Sequence, residues 1–243
     1  HVEYRVGRIN GARVSACDEM LSDTEELIPA GQIMRIFRKG GYRERRDIWV
    51  EACQRLGVDR DAIMHATDDF LFLDFLLRNT DRHYNNFGLI RDVESFAIRP
   101  APIYDSGASL WNGMDPDAMG NGDYRTKPFW TDQWGEEDNA YWQLSLIDDW
   151  DRYDLSVLDD VPDIVHEQLS TNQRLSPMLI DRITGLLRGR LPIIRHQRDV
   201  AAPHMIGLHP AHGLDDPTPG LQPPDPADIP DDTRPDDPGI GLV

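Results

Sequence analysis

The sequence predicts an α+β fold, mainly helical, with small β-hairpins. Three observations carry this expectation. Arg45–Leu56 sets Ile48, Trp49, Ala52, Cys53 and Leu56 on one stripe and meets Gly57, the pattern of an amphipathic helix stopped by a glycine cap. Asp61–Arg78 carries Phe70-Leu71-Phe72-Leu73 and Phe75-Leu76-Leu77, apolar almost all round, as a buried central helix requires. Val2–Ile9 and Ala12–Cys17 alternate, and Asn10-Gly11 between them is the dipeptide of a two-residue hairpin turn.

The remaining elements follow in order. Pro29 to Arg38 predicts a short helix ended by Gly40-Gly41. Phe87–Ile90 and Phe96–Ile98 predict a small hairpin, and Pro102–Tyr104 a short strand after it. Helices are expected near Ala140–Trp150, Val161–Leu169 and Ser176–Arg195. In the last, Pro177 suits the first helical position behind a Ser176 cap. No internal repeat is visible.

Composition bounds the function. The 243 residues carry 25 Lys+Arg against 43 Asp+Glu, a formal net charge of −18. A chain this acidic is unsuited to non-specific nucleic-acid binding, which needs a cationic face to displace phosphate counterions. No apolar run approaches the roughly 18 residues of a membrane span, so no membrane partner is expected. Cys17 and Cys53 are the only cysteines, too few for a disulfide framework or a zinc site, and a reducing cytoplasm is the expected setting. The start on His1 reads as a chain cut from something longer.

Residues 201–243 differ from the rest. They hold eight Asp, one Arg and ten of the 18 prolines, and so −7 of the charge. Such a segment has little to bury and is expected to be disordered or polyproline-like, as a solubilising or partner-binding tail. The expected organisation is an upper remnant over 1–20, a main unit over 21–200 and the tail over 201–243.

The chemistry concentrates in Arg78-Asn79-Thr80-Asp81-Arg82-His83-Tyr84-Asn85-Asn86-Phe87-Gly88, which leaves the buried helix and enters a hairpin. Nineteen residues after Asn86 stands Asp105, in Ile103-Tyr104-Asp105-Ser106-Gly107. An Asp, an Asn five residues later and a second Asp returned by a hairpin are the parts phosphoryl transfer needs. One carboxylate orients the attacking hydroxyl and takes its proton. An amide oxygen and a second carboxylate hold the metal that neutralises the triphosphate. Asp81-x4-Asn86 alone is weak, since Asp, Asn and Gly are ordinary loop residues. The order of helix, polar loop, hairpin, apolar strand and Asp-Ser-Gly makes the signal specific.

These residues, with Ala101-Pro102-Ile103-Tyr104-Asp105-Ser106-Gly107, resemble the C-terminal kinase lobe of HipA-like proteins, a family that includes serine/threonine kinase toxins of toxin–antitoxin systems. Asp81-Arg82-His83 through Asn86 also resembles the catalytic loop of phosphoinositide kinases, but the Asn-Phe-Gly continuation and the Pro-x-Tyr-Asp segment fit the HipA-like family better. Tyr4 and Ser15-Ala16-Cys17-Asp18 through Glu25–Ala30 look like that family's strand, hinge and following segment. The resemblance covers about residues 1–200. It implies Asp81 as catalytic base, Asn86 and Asp105 as metal ligands, and His83 as a brace of the loop. Packing and backbone hydrogen bonds are an equal alternative for His83. Cys17, Asp18 and Met20 would be the hinge offering backbone groups to adenine, and Leu89 or Ile90 with Ile103 would floor the pocket. Ordinary core is as good a reading for those last three. Arg82 pairs either with a phosphate or with an acidic neighbour. ATP and Mg²⁺ are the implied cofactors, and a protein hydroxyl and an antitoxin-type protein the implied partners.

The parts that should precede the hinge are missing. Only about sixteen residues stand there, with no lysine and no glycine-rich loop. The two lysines, Lys39 and Lys127, lie elsewhere in the chain. The chain therefore reads as part of a longer kinase or as a remnant of one. Two rival readings stay open. One is a non-catalytic module that binds a protein. The other is a lipid or small-molecule kinase, which the absence of Lys and Arg from 106–123 argues against. The Gly-, Asp- and Trp-rich stretch between Asp105 and Ala140 holds the place of an activation and substrate-docking segment. Its tryptophans could equally be plain loop anchors.

Overall fold

A computed structural model describes residues 4–37, 45–129 and 140–201. Lys39, the Gly40-Gly41 stop, Trp130, Trp134 and the acidic tail expected over 201–243, beyond Ala201, lie outside these residues.

The chain opens with strand β1 (Tyr4–Ile9) paired antiparallel with β2 (Ala12–Cys17). Asn10 and Gly11 both take positive φ, 51° and 84°, as a two-residue primed turn demands. This hairpin forms a sheet of its own, and every described β1 residue is exposed.

Strand β3 (Glu25–Pro29) follows and leads directly into helix α1 (Ala30–Phe37). The sequence reading had no strand there and placed Pro29 in the helix. With only five residues and no clear alternation, β3 owes its state to its partner. It pairs with β4 (Gly88–Asp92), which pairs with β5 (Ile98–Pro100), in a three-stranded antiparallel sheet. Gly88 is required at the join, since a Cβ there would lie 2.3 Å from the Ile28 carbonyl oxygen. The β4–β5 hairpin sits one to two residues later than the sequence suggested.

Helix α2 (Arg45–Arg55) ends as expected. Gly57 has φ +91°, and the amides of Gly57 and Val58 donate to the carbonyls of Gln54 and Cys53. Helix α3 (Arg60–Leu77) starts on Asp59, whose side chain accepts from the Ala62 amide. It is buried on nearly all sides and forms the centre of the core with Trp49, Phe87, Phe129 and Leu187. The rings of Phe70, Phe87 and Phe129 meet there at centroid distances of 4.9 to 6.1 Å.

The helix expected over Ala140–Trp150 is shorter, α4 (Ala140–Leu144), with a separate short turn at Trp150–Arg152. The reason is tertiary. The buried Asp68 carboxylate accepts the amides of Asp148 and Asp149, both at 3.2 Å, and draws the chain off the helical path. The Arg46 guanidinium, 3.1 Å from the same carboxylate, offsets its buried charge. Helices α5 (Val161–Ser170) and α6 (Pro177–Ala201) complete the described fold. The Leu179 amide donates to the Ser176 hydroxyl, the expected cap. Ile180, Ile183, Thr184, Leu187, Arg190, Leu191 and Ile194 form the buried stripe of α6. Among the described residues, no helix is long and apolar enough to cross a membrane.

Candidate active site

The site is built around one arginine. Arg82 is fully buried, yet each of its five N–H groups has a partner. Its Nε and Nη2 form two parallel bonds to the Asp74 carboxylate, both 2.8 Å. Nη1 donates to the carbonyls of Asn86 and Tyr104. The second Nη2 donor meets the Ser106 hydroxyl at 3.0 Å. Of the two partners left open for Arg82, the structure gives the acidic one. Burial pushes the Asp74 carboxyl above its ordinary range, while the Arg82 fork and the Asn79 amide pull it down.

This strut replaces the strand expected over Pro102–Tyr104. The ladder ends at Pro100, and the Ala101 amide makes the last bond, to the Gly88 carbonyl. Pro102 has no donor to continue it. The segment is held instead by Arg82, by the Tyr104 hydroxyl on the Asn85 carbonyl at 2.8 Å, and by the Thr80 and Leu110 amides on the carbonyls of Ala108 and Leu77. Burial pushes the Tyr104 hydroxyl up to about 12, so it remains a donor at neutral pH.

Asp105 thus sits between two residues clamped to the loop that holds Asn86. It is exposed and adopts φ +50°, a left-handed conformation that Asp tolerates better than most side chains. Asn86 is buried, and its Nδ2 donates to the Asp81 carbonyl at 3.0 Å, leaving Oδ1 as the side-chain acceptor. The Asp81 carboxylate is half exposed, and its amide donates to the buried Asn79 Oδ1 at 3.2 Å. His83 Nδ1 accepts from the Asn85 amide, which leaves the neutral ring's proton on Nε2, 4.0 Å from Asp81 Oδ2.

The structure therefore sets Asp81, His83 and Asn86 in one loop and ties both neighbours of Asp105 to it through Arg82. The other candidates lie outside this loop. Cys17 ends β2 and is exposed. The Asp18 carboxylate binds the Arg5 guanidinium at 2.7 Å, and Met20 is half-buried in the turn beyond. Leu89 is fully buried in the core, and Ile90 is fully buried as well. Ile103 lines a small pocket with Trp49, Phe70 and Asn86.

No family model matches the chain, and neither does any curated protein sequence. The solved structures supply a likeness: the crystal structure of the Helicobacter pylori proinflammatory kinase CtkA superposes with a TM-score of 0.62 over 83% of this chain and 77% of that one, at 20% identity. The fold is kinase-like.

Sequence reasoning missed three supports of this site. Neither Asp74 nor the side chain of Asn79 is singled out by the sequence. Lys127 was set aside for its place in the chain, yet its Nζ lies 3.0 Å from Asp81 Oδ1. The available signal was an Asp between the two apolar runs Phe70–Leu73 and Phe75–Leu77, since a buried carboxylate needs a partner.

Proposed function

We propose that the chain is the C-terminal lobe of a HipA-like protein kinase that transfers the γ-phosphoryl group of ATP to a protein hydroxyl. The observation that carries this reading is the Arg82 strut. It clamps the loop bearing Asp81 and Asn86 to both neighbours of Asp105, in the order and spacing phosphoryl transfer requires. The kinase-like fold is consistent with it.

Asn86 Oδ1 and the Asp105 carboxylate would hold Mg²⁺. One amide oxygen and one carboxylate suit an ion that keeps several waters and takes phosphate oxygens. Bound Mg²⁺–ATP supplies the phosphoryl group and the charge that neutralises it. Asp81 orients the substrate hydroxyl and accepts its proton, while the Asn79 side chain fixes the backbone beneath it. Cys17, Asp18 and Met20 would present their backbone to adenine. A cytoplasmic setting and an antitoxin-type partner belong to the same reading.

A second reading, a non-catalytic protein-binding module, is favoured by one feature: no lysine stands among residues 1–16, before the expected hinge. The test separates the two. Label from γ-labelled ATP is followed into protein, using the product of the full reading frame that contains these residues. Asp81-dependent transfer, abolished in Asp81→Asn, is expected. Equal labelling by Asp81→Asn and wild type would remove the catalytic assignment.

A further inference from the structure

The segment after Asp105 returns to the catalytic loop and delivers Lys127 to Asp81, 46 residues away in sequence. Its neighbours hold it there. The Tyr124 hydroxyl accepts from buried Arg190 at 2.9 Å, and the buried Thr126 hydroxyl donates to the Asn79 carbonyl at 3.3 Å. Phe129 is fully buried, its ring beside those of Phe70, Tyr84 and Phe87. Anchors at 124, 126 and 129 flank a lysine whose own side chain stays 51% exposed. The backbone is fixed while the ammonium remains accessible.

An exposed ion pair of this kind adds little stability, typically below about 1 kcal/mol, so folding does not account for the arrangement. Chemistry does. The chain has two lysines, Lys39 and Lys127, and it is Lys127 that meets Asp81. Within the loop, Arg82 is consumed by its five bonds, and His83 stands 4.0 Å from Asp81. An ammonium has three donors. One engages Asp81, and the half-exposed ammonium can turn the others to a bound phosphate.

We infer that Lys127 is a catalytic residue of the phosphoryl transfer proposed above, on which this assignment rests: its ammonium bridges the Asp81 carboxylate and the oxygens of the migrating phosphoryl group. In that step the substrate hydroxyl oxygen forms the new bond to the γ-phosphorus. The bond from that phosphorus to the bridging oxygen breaks, its electron pair leaving with ADP, and the hydroxyl proton passes to Asp81. Lys127 exchanges no proton. It neutralises charge on the transferring oxygens and fixes the base in line.

The experiment compares wild type, Lys127→Met, Lys127→Arg and Asp81→Asn in the product of the full reading frame. Each is measured for kcat, KM for ATP and melting temperature. Loss of one preorganised charge contact in a transition state costs about 10²- to 10³-fold in kcat. Lys127→Met should show such a loss with KM for ATP and melting temperature nearly unchanged, and Lys127→Arg should recover part of it. Wild-type kcat in Lys127→Met beside an inactive Asp81→Asn would overturn the lysine assignment alone. So would a fall in kcat matched by a fall in melting temperature and not relieved by arginine. Wild type at the level of Asp81→Asn would overturn the phosphoryl-transfer reading, and the lysine's role with it.

Discussion

Asp74 and Arg82 meet through two parallel hydrogen bonds of 2.8 Å, between the last turns of the central helix and the middle of the loop that follows it. Both are buried. Eight residues apart, they close the left-handed turn at Arg78, where φ is +57° and the helix stops. The same guanidinium reaches the Asn86 and Tyr104 carbonyls, so one side chain sets the spacing between the loop and the segment that carries Asp105.

Breaking this pair should be costly. Arg82→Lys keeps the charge but cannot reproduce the two-pronged contact or serve five acceptors. Removing one partner of a buried pair typically costs about 3–5 kcal/mol, a large share of a stability of about 5–15 kcal/mol. Urea unfolding followed by fluorescence should show the loss for Arg82→Lys and for Asp74→Asn. The double variant Asp74→Leu/Arg82→Met should lose less than the two single losses combined. A wild-type midpoint for Arg82→Lys would mean that the strut carries no load.

Gly88 should accept no side chain. The Cβ of Gly88→Ala would stand 2.3 Å from the Ile28 oxygen, so β3 and β4 would have to part. Overpacking costs about 1–3 kcal/mol, and a backbone neighbour leaves little room to relax. The urea midpoint of Gly88→Ala should fall accordingly, whereas Gly107→Ala, with nothing within 4 Å, should hardly move it.

Acid should loosen the β3–β4–β5 sheet through Asp92. Its carboxylate accepts from the Thr24 hydroxyl and from the Ser95 amide and hydroxyl, and these bonds hold its pKa down to about 2. An unfolded aspartate titrates near about 3.9. The stabilisation is therefore present above about pH 4 and is lost as the pH falls towards about 2. Asp92→Asn should flatten the pH dependence of the urea midpoint across that window. An unchanged slope would place the acid sensitivity elsewhere.

Metal binding should depend on nucleotide. Isothermal calorimetry with Mg²⁺ alone should give weak heats, rising sharply once ATP is present, because Mg²⁺ takes few protein ligands and several phosphate oxygens. Asp105→Ala should abolish the nucleotide-dependent part. Identical titrations for Asp105→Ala and wild type would remove Asp105 from the metal site.

The elements legible in the sequence were those whose signal is local. The stripe and glycine stop of α2, the apolar run of α3 and the Asn10-Gly11 turn are each written within a few residues, and the structure places them within one or two residues of the expected bounds. The candidate loop was legible for a different reason: Asp81, Asn86 and Asp105 are a spaced set, and spacing survives in one dimension. Where the reading failed, the deciding partner was far away. β3 is a strand because β4 lies beside it, and the segment after α4 leaves the helical path where Asp68, some eighty residues upstream, takes the amides of Asp148 and Asp149.

By itself the sequence determined the mixed fold class, the buried central helix and the residue types of the candidate loop, because helix periodicity, turn chemistry and motif spacing are local properties. Only the tertiary structure decided the choice of Asp74 over a phosphate for Arg82, the irregular path through Tyr104, and the meeting of Lys127 with Asp81. The physical reason is that charges pair across space: buried Arg82 meets Asp74 8 residues away, half-exposed Lys127 meets Asp81 46 residues away, and neither leaves a trace in any short window.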